Sequence, residues 1–177
     1  MAEIKIAVLD ASGKKTDIAM KQTDTHWEGT FTPQTEGVYQ IIGLNETREV
    51  QDWTQHNLGI TRPVQYLRTA YTVGNPPKQT PVPQQFLDVV ASKLGNQVLL
   101  EVHKAQQPFS KIQLTVINPE GWEKTKITNE KGKAVFMPGG KGLYLVALEW
   151  IDKTPGKFKD KNYETIRYRC DMSIWVD

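Results

Sequence analysis

A chain of 177 residues has room for one large β-sandwich or two small domains, and is too short for a multi-domain machine. Hydrophobic residues make up 38% and charged residues 24%, with a mean hydropathy of −0.50, so a core can form. No apolar run approaches the roughly 18 residues of a membrane helix. The 22 basic and 20 acidic side chains are interspersed, which argues against a nucleic-acid partner, and a single cysteine excludes an intramolecular disulfide and every multi-cysteine metal site.

Met1-Ala2 runs straight into an alternating segment, so no secretory signal is read at the start of the chain. Ile4, Ile6 and Val8 alternate with other residues before Asp10-Ala11-Ser12-Gly13, the pattern of a half-buried strand ending in a turn. Further strands are expected over residues 27–32, 38–44, 65–73, 97–103, 112–117, 134–137, 143–150 and 164–176. Residues 84–94 are ambiguous: Phe86, Val90 and Leu94 recur at helical spacing, but a strand over 86–90 fits as well. In the last segment Ile166, Tyr168, Cys170, Met172, Ile174 and Val176 occupy every second position, which points Cys170 inward as a core thiol. Many short strands between Gly, Pro and Asn turns make the chain all-β, built as a sandwich.

An internal repeat sets the expected organisation. Phe31-Thr32-Pro33, Gly37 and Tyr39 match Phe136-Met137-Pro138, Gly142 and Tyr144 in spacing, and upstream Ile6, Val8, Asp10 and Gly13 match Leu114, Val116, Asn118 and Gly121. Tyr39 and Tyr144 sit where a sandwich buries a tyrosine ring and sends its hydroxyl to a corner backbone group. Between the repeats, the segment from Gly74 to Pro83 carries four prolines and cannot join a ladder. The expectation is two consecutive immunoglobulin-like or prealbumin-like β-sandwiches, over residues 1–74 and 85–177, with a linker at 75–84.

Gln107-Pro108-Phe109, the stretch from Thr128 to Phe136, and Gly142-Leu143-Tyr144 resemble the carboxypeptidase-regulatory-like, prealbumin-like sandwich. Asp52-Trp53-Thr54-Gln55, Leu58-Gly59-Ile60, Pro155-Gly156-Lys157-Phe158 and Tyr168-Arg169-Cys170 look like exported bacterial two-sandwich proteins of unknown function, related to the periplasmic component of nickel and cobalt uptake systems. That resemblance implies a periplasmic or secreted protein without catalysis, concerned with a transition metal or another solute. Relatives carry a signal and a histidine-bearing strand ahead of the region where this chain starts, so either a truncated chain or a shortened first sandwich is expected, and the metal-ligand region transfers to no residue here.

His26, His56 and His103 have no HxH, HExxH or Cys/His spacing. His103 reads as a solvated strand face and His26 as a surface residue, which leaves His56, beside Asp52 and Trp53, as the best metal candidate. No nucleophile elbow, phosphate loop or dinucleotide fingerprint is present, so the chain is read as a non-enzyme with no cofactor. Five tryptophans suggest stacking or anchoring surfaces. Trp27 reads as core, Trp150 is ambiguous, and Trp122 and Trp175 are expected to be exposed. The candidate ligand-binding set is Asp52, Trp53, His56, Trp122 and Trp175, and the expected partner is a small solute, a metal ion or an envelope protein. The alternative is a structural adapter or a carbohydrate-binding protein.

Overall fold

The structure, a computed structural model, describes residues 3–77 and 81–177. Before the proline-rich link come β1 (Lys5–Leu9), β2 (Lys15–Ile18), β3 (Lys21–Gln22), β4 (Trp27–Glu28), β5 (Gly37–Asn45), β6 (Gln51–Trp53) and β7 (Gly59–Val73). After it come β8 (Leu87–Leu94), β9 (Gln97–Lys104), β10 (Gln107–Pro108), β11 (Gln113–Ile117), β12 (Glu123–Ile127) and β13 (Lys133–Phe136), then β14 (Gly142–Asp152), β15 (Gly156–Phe158), β16 (Lys161–Tyr163) and β17 (Thr165–Val176). The fold class is all-β, and a 3-10 turn at Thr54–His56 is the one helical element among the described residues.

One large sheet runs through both halves of the chain in the order β12-β11-β14-β17-β7-β5-β1-β2, with β6 attached to β7. Its centre is a parallel pair, β7 and β17, in register from Thr61↔Thr165 to Arg68↔Met172, while the flanking pairs are antiparallel. Register partners share a face of a sheet, as do residues two apart on one strand. One face, here the front, therefore carries Leu114, Leu148, Cys170, Tyr66 and Leu44. The rear face carries Val8, Ile41 and Tyr39.

The two repeats use opposite faces. Tyr144, Val146 and Val116 point to the front, while their counterparts Tyr39, Ile41 and Val8 point to the rear. Parallel neighbours whose equivalent side chains point to opposite faces are related by a pseudo-twofold axis along the strands, between β7 and β17. The shared motif keeps its local geometry. Asp10 Oδ1 accepts from the Ser12 and Lys14 N–H groups at 2.9 and 3.0 Å, and Asn118 Oδ1 accepts from those of Glu120 and Trp122 at 3.2 and 2.7 Å. Both turns end on a glycine in the left-handed region, Gly13 at φ +83° and Gly121 at +86°, where a side chain would be strained. Each tyrosine hydroxyl donates to the carbonyl four residues earlier, Tyr39 to Thr35 at 2.7 Å and Tyr144 to Gly140 at 2.9 Å.

A second sheet of β8, β9, β10 and β13 covers the front face of the C-terminal repeat. Leu87, Val89, Leu100 and Val102 pack there on Leu114, Val146, Leu148 and Cys170, with β7 contributing Val64 and Tyr66 to the same core. Of the two readings of residues 84–94, helix or a strand over 86–90, the strand forms, extended to Leu94 and in register with β9 from Leu87↔Lys104 to Leu94↔Gln97. Burial explains why: Leu87 and Val89 fill the core, whereas Phe86 and Leu94 of the helical spacing are exposed. Arg68 on β7 donates from Nη2 to the Val82 carbonyl at 3.1 Å, so the C-terminal end of the link is held against the sheet; residues 78–80 lie outside the described residues.

Cys170 is fully buried on β17, and burial pushes its thiol well above the ordinary range. A neutral thiol reagent is expected to label it on the order of a hundredfold more slowly in the folded protein than in urea, since reaction requires local opening. Equal rates, measured by mass spectrometry, would place the β17 register one residue off.

Candidate functional site

The second layer is unequal in the two repeats. In the C-terminal repeat it is a sheet, and Leu114 and Val146 have no exposed surface. In the N-terminal repeat, among the described residues, it consists of the β3–β4 hairpin and the segment that follows it. Phe31 packs on Tyr39 with ring centroids 5.4 Å apart, and Val8 and Tyr39 are buried. Ile6 and Ile41, the counterparts of Leu114 and Val146, remain only half-buried. No described element stands where β8 and β9 stand in the other repeat.

A groove of about 970 Å³ opens at this place. Ile6, Ile18 and Gly43 line it from the rear face, with Ile4, Met20 and Trp27 alongside. Its lining continues to Ala7, Ile42, Leu44 and Tyr66 on the front face, walled by the segment 84–86. Gly43 lets the strands pack closely here: a Cβ would lie 2.7 Å from Ile6 Cδ1 and 3.1 Å from Leu67 Cβ and would push the end of Ile6 aside. At the rim Lys5 pairs with Glu46 at 3.1 Å, and Lys15 and Asp17 are exposed on β2. Burial, and then the neighbouring Tyr168, raise the Tyr66 phenol far above its ordinary range and keep it protonated. Trp27 Nε1 is buried without an acceptor among the described residues. Such a lining offers apolar contact and hydrogen bonding.

The five residues singled out in the sequence fall elsewhere. Asp52 and His56 are exposed, and Asp52 Oδ1 is engaged by its own turn, accepting from the Thr54 hydroxyl at 2.6 Å and N–H at 3.0 Å. Those bonds, the hydroxyl first, hold its carboxyl below the usual range. Trp53 is half-buried with the Arg167 guanidinium 5.3 Å from its ring centre, and Arg167 is ion-paired with Glu149. Trp122 is 72% exposed beyond the β11–β12 turn, and Trp175 is 63% exposed on the rear face beside Leu143. Trp27 was expected in the core and instead lines the groove, because the second layer above it is incomplete. Trp150 stacks on Tyr168 with centroids 5.5 Å apart, under the Lys104 ammonium at 4.0 Å. His26 is exposed and bonded to Thr23 and Thr25. His103 departs from the solvated reading: it is half-buried, with Nδ1 enclosed and unpartnered among the described residues.

The groove residues were missed in the sequence, although a signal existed. Ala7-Val8-Leu9 and Ile41-Ile42 are apolar at consecutive positions, which marks strands covered on both faces. Among the described residues no group of three or more His, Cys, Asp or Glu side chains is placed to hold a metal. No protein-family model matches the chain, and no curated protein is significantly similar to it.

Proposed function

We propose that the chain is a non-catalytic binding or presentation module of the cell envelope whose binding surface is the groove of the N-terminal repeat. The observation that carries this reading is the apolar lining of that groove, where Ile6 remains half-exposed at a position that is closed in the other repeat. Leaving apolar surface open costs stability, at roughly 25 cal/mol per Å², so an apolar groove of this kind favours a binding role. The envelope location rests on the sequence resemblance. Among the described residues no helix is long and apolar enough to cross a membrane.

A polarity-sensitive dye such as anilinonaphthalene sulfonate is expected to bind one-to-one, and Ile6→Glu is expected to lower its affinity by roughly tenfold or more, the effect of burying a charge against apolar surface. Unchanged binding in Ile6→Glu would remove the groove as the site. A second reading, glycan stacking, is favoured by the exposed row of Trp175, Leu143 and Tyr71 on the rear face of the large sheet. Retention on a polysaccharide matrix that is lost in Trp175→Ala would support it.

Metal handling makes a separate prediction. Calorimetry with nickel, cobalt or zinc is expected to find no stoichiometric site, because among the described residues no histidine is grouped with two further ligands. A tight one-to-one site abolished by His56→Ala would reverse this and make metal delivery the function.

A further inference from the structure

We infer that Arg62, on the front face of the large sheet beside the β15–β16 hairpin, anchors a further binding site, one for the carboxylate of a small aromatic acid. The site is separate from the groove, from whose lining it borrows only Tyr66.

The other arginines withdrawn from solvent each hold a carboxylate: Arg68 pairs with Asp88, Arg167 with Glu149 and Arg169 with Asp171. Arg62 is half-buried as well, yet it forms no ion pair among the described residues, and its Nε is enclosed without an acceptor. Taking a guanidinium partly out of water without an anion costs stability, so an unpaired one marks a place where an acceptor from outside the chain is favoured. The chain also fixes this group in place. Its central carbon lies 4.2 Å from the centre of the Phe158 ring. Phe158 ends the first strand of the hairpin, in register with Lys161. Lys159 ties the hairpin to the loop between β5 and β6, donating from Nζ to the Thr47 carbonyl at 3.0 Å and to Glu49 Oε1 at 3.1 Å. With Nε enclosed and one face on the ring, Nη1 and Nη2 remain as a planar fork, the geometry that takes both oxygens of a carboxylate. A guanidinium held in this way loses little further freedom on binding.

The neighbours of the fork add donors. Arg62, Tyr66 and Tyr168 share the front face, and the two phenol rings stack with centroids 6.4 Å apart. Burial raises both phenols above their ordinary range, so both stay protonated at neutral pH, and the Arg62 charge opposes the rise in each, as a cation close to both does. The nearby carboxylates decide which anion is taken. Glu46 adds to the rise of Tyr66 and Asp152 to that of Tyr168, and each is already engaged, Glu46 by Lys5 at 3.1 Å and Asp152 Oδ1 by the Thr154 hydroxyl at 2.7 Å. One guanidinium among two carboxylates and uncharged phenols favours a singly charged ion over phosphate. The rings of Phe158, Tyr66 and Tyr168 around it suit an acid with a flat, apolar body.

The test uses the full chain with benzoate as the probe, read by calorimetry and amide chemical shifts, against benzamide and inorganic phosphate. Benzoate is expected to bind one-to-one with its largest shifts at Arg62, Tyr66 and Phe158, and benzamide and phosphate at least roughly tenfold more weakly. Arg62→Gln is expected to weaken benzoate by roughly tenfold or more without lowering the urea midpoint, because it removes an unpaired charge. Arg62→Lys keeps the charge without the fork and is expected to fall between the two. Benzamide binding as tightly as benzoate would make the place an apolar patch, and phosphate binding more tightly would make it a general anion site; either result overturns the carboxylate assignment. Benzoate binding that is not saturable, or that is unchanged in Arg62→Gln, would leave the guanidinium as a prop for Phe158 and overturn the site. N-acetyl-glycyl-phenylalanine binding at least roughly tenfold more tightly than benzoate would assign the fork to a polypeptide terminus and overturn the small acid. Ile6→Glu is expected to weaken dye binding in the groove and leave benzoate binding unchanged, and the loss of both would place the acid in the groove and overturn a separate site.

Discussion

Arg68→Ala is expected to destabilise the protein by about 3–5 kcal/mol, the effect of stranding one member of a buried ion pair. Arg68 Nη1 lies 2.6 Å from Asp88 Oδ2, and the two side chains are 2% and 0% exposed. The same carboxylate oxygen accepts from the Gln84 and Gln85 N–H groups, while Arg68 Nη2 donates to Gln40 Oε1 and the Val82 carbonyl, each at 3.1 Å. Arg68 and Gln40 belong to the N-terminal repeat, and Asp88 and Val82 follow β7. The pair therefore ties β7 and β5 to the start of the second layer and to the end of the link. Asp88 Oδ1 is already buried and unpartnered among the described residues, so loss of Arg68 would leave a desolvated carboxylate held by two amides. Urea unfolding measures the effect, and a loss below about 1 kcal/mol would mean that water reaches Asp88.

Leu114→Ala is expected to cost about 3 kcal/mol or more, and the symmetry-related Ile6→Ala less than half of that. Both positions lie two residues before the central valine of their motif, on the strand that leads into an Asx-glycine turn. Their local sequence and geometry match. Leu114 is enclosed by the second sheet, so truncation leaves a cavity, whereas Ile6 faces the open groove and its loss is shared with solvent. Equal losses in thermal or urea unfolding would show that the N-terminal repeat is closed in solution. The comparison thus tests the asymmetry on which the functional reading depends.

The parts of the fold legible in the sequence were those specified by local chemistry. Alternation along β17 put Cys170 inside, where it lies. The paired Asx-glycine turns and the corner tyrosines were readable because their hydrogen bonds close within four residues. β2 and β12 were missed because they are edge strands, and Lys15-Thr16-Asp17 and Lys124-Thr125-Lys126 show solvent what an interior strand would bury. The exposure of Trp122 and Trp175 was also foreseen, from a turn in one case and from the polar phase of β17 in the other.

Of the candidate site, the sequence held only a faint trace, the consecutive apolar residues of β1 and β5. By itself it determined that the chain is all-β, that a motif occurs twice, and which side chains of each strand share a face. Only the tertiary structure decided that the two copies join through the parallel pair β7 and β17, and that they turn opposite faces toward their second layers. It also decided that one of those layers is a sheet and the other a hairpin. The reason is physical: alternation is a property of one strand and is written in neighbouring residues. Which strands pair, and what covers the resulting face, is settled by contacts between residues up to about a hundred positions apart, such as Thr61 with Thr165, that leave no local pattern.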